Sequence, residues 1–416
     1  MLVKWIKRFG VVGFAFFLLK GLVWLAIAGA LAAGGVGWGV AIGTLEDWKQ
    51  VVDCPELVAA AADVAPGDLA GIARLRRNLD AGIVAVAVEL AEARRRAAAK
   101  FGARADSIVA DVQGMEMATA TAAGAHKARR FASAGLAVTD LCCGIGGDAM
   151  ALMDAGVDVV GVDASDVRAW MCARNAGCET RMADAREVEV REAYHLDPAR
   201  RTGAGVRRWR YEDLEPGREL IERLAERDGA VKLGPGVDLD VLPRGEIELI
   251  SERGMLTQAV LWTGSLAGVS RRATVLPAGA SLAGEPVSMA FGEAGTYVFS
   301  VDASVERAGL MGLLARELRL VALHPSLGLL TGNELVESPF LTPFRLIERM
   351  GWREKKVREW LRANDAGIVE VKTRGRAVDP DKVQAALRGD GATPYTLFVL
   401  RFDRRVEALI ARRVSS

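Results

Sequence analysis

The sequence predicts an α/β fold: a doubly wound, largely parallel sheet, with a helical subdomain before it and a small α+β domain after it. Three observations carry this reading. Residues 45–136 keep a helical period with Ala-rich apolar faces. From residue 137, short apolar strands alternate with helices, the order of right-handed βαβ units and therefore of a parallel sheet. Residues 341–416 then change in charge. They hold 17 Lys and Arg against 10 Asp and Glu, or +7 in a chain whose sum is +1, which leaves −6 for the preceding 340 residues.

Composition bounds the function classes. With 51% hydrophobic and 26% charged residues in 416, the chain is neither disordered nor fibrous and can bury a sizeable core. A sum of +1 excludes a uniformly basic nucleic-acid coat. The cysteines (Cys54, Cys142, Cys143, Cys172 and Cys178) form no CxxC pair, and there are only 3 histidines, so no metal is expected and the thiols read as reduced.

The elements follow in order. In residues 11–43 Lys20 is the only charge, and Gly21 to Gly43 gives 23 uncharged residues, enough to cross about 30 Å of hydrocarbon as a helix. This segment is read as a transmembrane or membrane-associated helix, with a signal peptide and a buried hydrophobic hairpin as the other readings. Next, Asp80 can cap the helix AGIVAVAVELAEARRRAAAKF, with Gly102 at its end. A second helix, TAAGAHKARRFA, leads into the strand AVTDL. A glycine turn, the helix DAMALMDAG, the strand VDVVGVD and the helix SDVRAWMCARNAG follow, the last capped by Ser165 and stopped by Gly177. CETRM, AYHLD and AVKLGPG read as further parallel strands. EIELIS, TQAVLWTG and RRATVL read as antiparallel additions to the sheet. The basic segment reads helix (LIERMGWREKKVREWLRAND), strand, helix, strand. The predicted divisions are 1–44, 45–136, 137–337 and 338–416, and no internal repeat appears.

The chemistry concentrates in VTDLCCGIGGDAMAL, residues 138–152. A glycine turn between strand and helix lets backbone N–H groups approach a ligand at the helix N-terminus. Gly144, Gly146 and Ala149 fit the G-x-G-x-x-G/A fingerprint, which by itself admits either NAD or S-adenosylmethionine (SAM). Three carboxylates at successive strand ends favour SAM. Asp140 suits a cationic amino-acid end better than a pyrophosphate. Asp163 can accept both ribose hydroxyls, and Asp184 is set to take the adenine amino group.

DLCCGIGGD, VDVVGVDAS and RMADA together resemble the first three motifs of the class I SAM-dependent methyltransferases. With HKARRFA before it, the first motif is similar to that of the RNA guanine-N2 methyltransferases. YHLDPARR, AVKLGPGVD, RRATVL, SPF and VKTRGRAVDP resemble a bacterial group of these enzymes that ends in a THUMP-like domain, over about residues 55–405. The resemblance implies a Rossmann-like sheet binding SAM through Asp140, Cys142, Gly144, Ile145, Gly146, Gly147, Asp148, Asp163, Ala164, Asp184 and Ala185. It puts Asp197 and Pro198 at the position that faces the methyl group, where amino-group methyltransferases carry an acid or amide, Pro-Pro and an aromatic. Ala199 and Arg200 depart from that pattern, so either base stacking comes from elsewhere, such as Tyr194 or Trp209, or the substrate is not a base.

The resemblance further implies an RNA substrate, tRNA or rRNA, methylated at an exocyclic amine of guanine. Arg200, Arg201 and Lys232 would contact it near the reaction centre. Lys372 and Arg374 of the THUMP-like domain, whose relatives accompany RNA-modifying catalytic domains, would contact its phosphates. SAM and RNA both imply a cytoplasmic catalytic domain, tethered to a membrane if residues 11–43 insert. His195, on an apolar strand, reads as a packed core residue. Two rival readings are a non-catalytic SAM- and RNA-binding scaffold, motivated by the altered DPAR motif, and an NAD-dependent oxidoreductase, motivated by the glycine fingerprint.

Overall fold

The structure is a computed structural model and describes residues 42–65, 68–77, 79–200 and 211–414. It opens with six helices: α1 (Leu45–Val52), α2 (Pro55–Ala62), α3 (Leu69–Leu75), α4 (Ala81–Phe101), α5 (Val112–Met117) and α6 (Thr121–Ala134). Helix α4 is the spine of this cap. Its Asp80 side chain accepts from Gly82 N, and Gly102 ends it at φ 53°. Ile83, Val86, Ala87, Leu90, Ala93, Ala97 and Phe101 form its buried stripe at helical spacing. The same core takes in Ile145, Met150, Val167 and Met171 from beyond residue 137, so the cap packs directly on the sheet's own helices.

The chain continues through β1 (Val138–Leu141), α7 (Gly147–Asp154), β2 (Val159–Asp163), α8 (Asp166–Ala176), β3 (Glu179–Met182) and β4 (Ala193–Leu196). A short ribbon, β5 (Ala199–Arg200) with β6 (Leu214–Glu215), precedes α9 (Arg218–Leu224) and β7 (Asp228–Leu233). Then come β8 (Glu246–Glu252), β9 (Met255–Thr263), β10 (Arg271–Leu276) and β11 (Ala280–Gly284). These build a nine-stranded sheet in the order β11-β10-β8-β9-β7-β4-β1-β2-β3. The β7-β4-β1-β2-β3 half is parallel throughout. Strand order reverses between β1 and β4, and the crevice at the carboxyl ends of such a pair is where open α/β sheets bind ligands.

The remaining elements are β12 (Tyr297–Val301), α10 (Ala303–Ala308), α11 (Met311–Leu318), β13 (Val321–Ala322), β14 (Leu329–Gly332), β15 (Leu341–Gly351), α12 (Glu354–Ala363), β16 (Ala366–Arg374), α13 (Pro380–Leu387), β17 (Thr393–Phe402) and β18 (Arg405–Arg413). Their strands form a separate seven-stranded sheet, β13-β14-β12-β15-β18-β17-β16. This second sheet draws on residues 297–332 as well as on the basic segment.

Four expectations are corrected here. LIERMG is strand, not helix: β15 runs through it, with exposure alternating residue by residue beyond Phe344, and it pairs with β12 and β18. A two-residue period outlasting the helical one decides the state. The final strand β18 was not expected at all. β10 lies parallel, not antiparallel, to β8, while β8 and β9 are antiparallel as expected. The expected transmembrane helix is not borne out either: no helix among the described residues is long and apolar enough to cross a membrane. The segment on which it rested, residues 11–43, lies outside the described residues except for Ile42 and Gly43.

Candidate active site

At the β1–β4 switch point lies a pocket of about 510 Å³, bounded by the glycine loop, the ends of β2 and β3, Asp197 and Ala199 after β4, and Pro216. Its remaining wall comes from the helical cap, through Gly114, Met117, Ala118 and Thr119. A larger depression of about 690 Å³ on the β2–β3 side is lined by Val157, Val159, Glu179 and Arg191 and includes none of the glycine loop.

The loop's shape follows from its glycines. Gly144 and Gly146 sit at φ 56° and 87°, where a side chain is strained. A Cβ on Gly147 would lie 3.0 Å from Thr119 N, so a larger residue at the helix start would push the cap back by a few tenths of an ångström. Asn175 fixes the loop from below: its amide donates to Ile145 O (2.8 Å) and Val109 O (2.9 Å) and accepts from Val109 N (2.9 Å). A buried ion pair, Arg168 to Asp111 at 2.8 Å, ties α8 to the cap beside it.

The predicted cofactor residues come together. Cys142, Gly144, Ile145, Gly147, Ala164 and Ala185 line the pocket, as do the four carboxylates Asp140, Asp148, Asp163 and Asp184. Gly146 shapes the turn without lining it. The carboxylates differ in their partners. Asp163 accepts from Gly144 N (3.0 Å) and Ser165 N (2.9 Å), yet burial raises its pKa. Asp184 is half-buried and forms a bidentate pair with Arg186 (Nη2 to Oδ2 at 2.6 Å), which lowers its pKa. Asp148 is buried, bonded to Lys127 (2.7 Å) and to the Thr119 hydroxyl (2.6 Å). Burial opposes its charge, but the Lys127 ammonium bonded to it and the nearby Lys232 hold the carboxyl well below the usual range. Asp140 is buried, bonds His195 Nδ1 through Oδ1 at 2.7 Å, and has no partner for Oδ2 among the described residues. Burial pushes its pKa up by more than His195 lowers it.

On the acceptor side, Asp197 Oδ2 takes a 2.6 Å hydrogen bond from Lys232 Nζ, which also reaches Met117 O at 3.3 Å. Lys232 therefore faces an internal carboxylate. Pro198 is buried behind Asp197. Tyr194 is not a stacking residue: it is fully buried and its hydroxyl bonds Thr263 Oγ1 at 2.8 Å. Trp209 and Arg201 lie outside the described residues, and Arg200 enters through its backbone pairing to Leu214. Lys372 and Arg374 lie on β16 in the second sheet, away from the pocket. Lys372 pairs with Glu370 at 2.8 Å, and Arg374 donates to Thr373 O. Among the described residues no cluster of His, Cys, Asp or Glu is arranged to hold a metal ion.

Sequence reasoning missed the contribution of the cap. Lys127 is the clearest case, with a signal that was present. On α6 it shares a face with Ala123, Gly124, Ala128 and Phe131, all buried. A cation on an apolar stripe requires a buried partner.

Comparison with known proteins agrees with this geometry. The chain is 35% identical over 333 residues to an uncharacterized SAM-dependent methyltransferase of Mycobacterium tuberculosis, covering 76% of this chain and 92% of that one. The chain belongs to the SAM-dependent methyltransferases. A crystal structure of a candidate methyltransferase from Porphyromonas gingivalis superposes with a TM-score of 0.70 at 19% identity, over 88% of this chain and 99% of the other, and so shares the fold. Residues 341–413 match the THUMP domain-like family. The pocket of this methyltransferase fits its cofactor chemically. It combines a backbone cradle of glycines with a buried carboxylate oxygen, Asp140 Oδ2, that lacks a donor.

Proposed function

We propose that this methyltransferase modifies RNA at an exocyclic amine of guanine, with Asp197 orienting the amine. The observation that carries the reading is the Asp197–Lys232 pair at the carboxyl end of β4, in the pocket that holds the glycine loop. Bound SAM supplies a methyl group on a sulfonium sulfur, which an attacking nitrogen must approach in line. Asp140 and the glycine loop would bind the cofactor's amino-acid end, Asp163 its ribose and Ala185 the edge of its adenine. For Asp184 to take the adenine amino group it must share its carboxylate with Arg186. Lys232 would occupy Oδ2 of Asp197, leaving Oδ1 to accept an amine N–H and turn the nitrogen lone pair toward the methyl. Orientation of this kind supplies much of the acceleration in a group transfer. Asp197 Oδ1 would then take the proton that the amine nitrogen gives up on methylation.

RNA as the acceptor is supported by the THUMP-like match and by the +7 charge of residues 341–416. The same substrates make the cytoplasm the site of action. Incubation with methyl-tritiated SAM and total cellular RNA, followed by nucleoside analysis, tests the reading. Label in N2-methylguanosine is expected. Label absent from RNA, with SAM still bound, would replace this reading with that of a scaffold, which the lack of any aromatic among the described pocket-lining residues favours.

A further inference from the structure

We infer that His195 is a positioning residue for the cofactor, acting through Asp140, and that Lys127 fixes it in the tautomer that can do so. Asp140 and His195 are direct neighbours in the β1–β4 register, and both are buried. His195 Nδ1 lies 2.7 Å from Asp140 Oδ1, and its Nε2 lies 3.1 Å from Lys127 Nζ. An ammonium only donates, so Nε2 accepts, the ring proton sits on Nδ1, and Nδ1 donates to Asp140. Lys127 is itself anchored by Asp148 at 2.7 Å. Asp148 Oδ2 is 3.7 Å from His195 Nε2, beyond hydrogen-bond reach, and so does not compete with Lys127.

The charges around the ring do not cancel. Asp140 and Asp148 are two anions, Lys127 is one cation, and the imidazole is neutral. The nearby Lys232 is already matched by Asp197. One buried negative charge remains, and the atom without a donor is Asp140 Oδ2, on a residue that lines the cofactor pocket. A buried carboxylate oxygen in that condition calls for a cationic donor. The ammonium of the cofactor's amino-acid end is such a donor. His195 therefore restrains one oxygen of Asp140 so that the other points where the ammonium arrives. Without the Nδ1 bond the carboxylate could turn or take up a proton, which burial already favours.

This inference rests on the reading that Asp140 meets the amino-acid end, and the experiment separates the two. The full chain is titrated calorimetrically with two probes. S-Adenosylhomocysteine carries the amino-acid end, while 5′-methylthioadenosine shares the nucleoside and lacks that end. The amide nitrogen of His195→Asn can replace Nδ1, whereas that of His195→Gln falls on the Nε2 side. His195→Gln should weaken S-adenosylhomocysteine about tenfold or more, the value of a hydrogen bond to a charged group. It should leave methylthioadenosine within about twofold. His195→Asn should keep most of the affinity for both, and Asp140→Asn/His195→Gln should bind no more weakly than Asp140→Asn. Equal weakening of both probes by His195→Gln, or by His195→Asn should the glutamine variant not fold, would overturn the inference. So would a loss confined to Asp140→Asn, which leaves the reading of Asp140 standing. An Asp140→Asn variant that binds S-adenosylhomocysteine normally would remove both.

Discussion

Two buried carboxylates in one sheet, Asp140 on β1 and Glu248 on β8, are each bonded to a histidine and are otherwise treated in opposite ways. Glu248 has every oxygen occupied: His126 Nε2 at 2.7 Å and Thr274 Oγ1 at 2.6 Å on Oε1, and Trp262 Nε1 at 2.8 Å on Oε2. Burial alone would raise its pKa, but these bonds outweigh burial and bring the carboxyl down to about 2. Asp140 has one oxygen bonded and one bare among the described residues, and burial keeps its pKa up. Helix α6 serves both, with His126 and Arg130 turned to β8 and Lys127 to the pocket side. Where a buried charge is satisfied by the chain it holds the fold together. Where it is half satisfied, it leaves room for a donor from outside, the role proposed for the cofactor's ammonium.

The contrast predicts a crossed pair of effects. Glu248→Ala strands the Trp262 and Thr274 donors inside the protein and should cost about 3 kcal/mol of stability. Thermal denaturation measures this, and the surviving folded protein should bind S-adenosylhomocysteine normally. Asp140→Asn should do the reverse, leaving the melting temperature unchanged or raised while S-adenosylhomocysteine binds about tenfold or more weakly by calorimetry. If both variants lose stability and neither loses affinity, Asp140 is as structural as Glu248 and the contrast fails.

Acid should separate the two further. The folded pKa of Glu248, about 2, lies below its ordinary 4.5, so its contribution is complete above pH 4.5 and disappears as pH falls toward 2. The melting-temperature gap between the parent chain and Glu248→Gln should therefore close across that window. Asp140 is shifted the other way, so the unfolded chain holds its ionised form more readily and folding is penalised at neutral pH. Any gap in favour of Asp140→Asn should shrink from a higher pH downward, as the folded carboxyl takes up its proton. Gaps that close over the same range would show that the two environments do not differ.

What could be read from sequence follows the same divide. The glycine turn, the strand-end acids Asp140, Asp163 and Asp184, and the caps Asp80, Ser165 and Gly177 are local grammar, fixed by residues a few positions apart. The partners that decide what each acid does are not local. His195 lies 55 residues from Asp140, and Lys127 lies 68 from His195. They meet only because β1 pairs with β4 and α6 packs beneath. Strand β15 escaped for a related reason: LIERMG suits either period, and its strand partners β12 and β18 come from residues 297–301 and 405–413.

The smallest expected effect tests whether the contrast needs burial at all. Glu370 and Lys372 form a pair at 2.8 Å on β16, with 48% and 34% of their side chains exposed. In water such a pair adds little stability, so Glu370→Gln should shift folding by under about 0.5 kcal/mol. Its consequence is for the proposed RNA substrate. Removing the carboxylate releases Lys372 to face phosphate and takes away a repelling charge. RNA binding at low salt should tighten about twofold, and the gain should vanish at high salt, where screening and the loss of counterion release remove the contribution of a phosphate contact. Filter binding across a salt series reads both. Affinity that stays unchanged at every salt concentration would mean that RNA does not approach this edge of the second sheet.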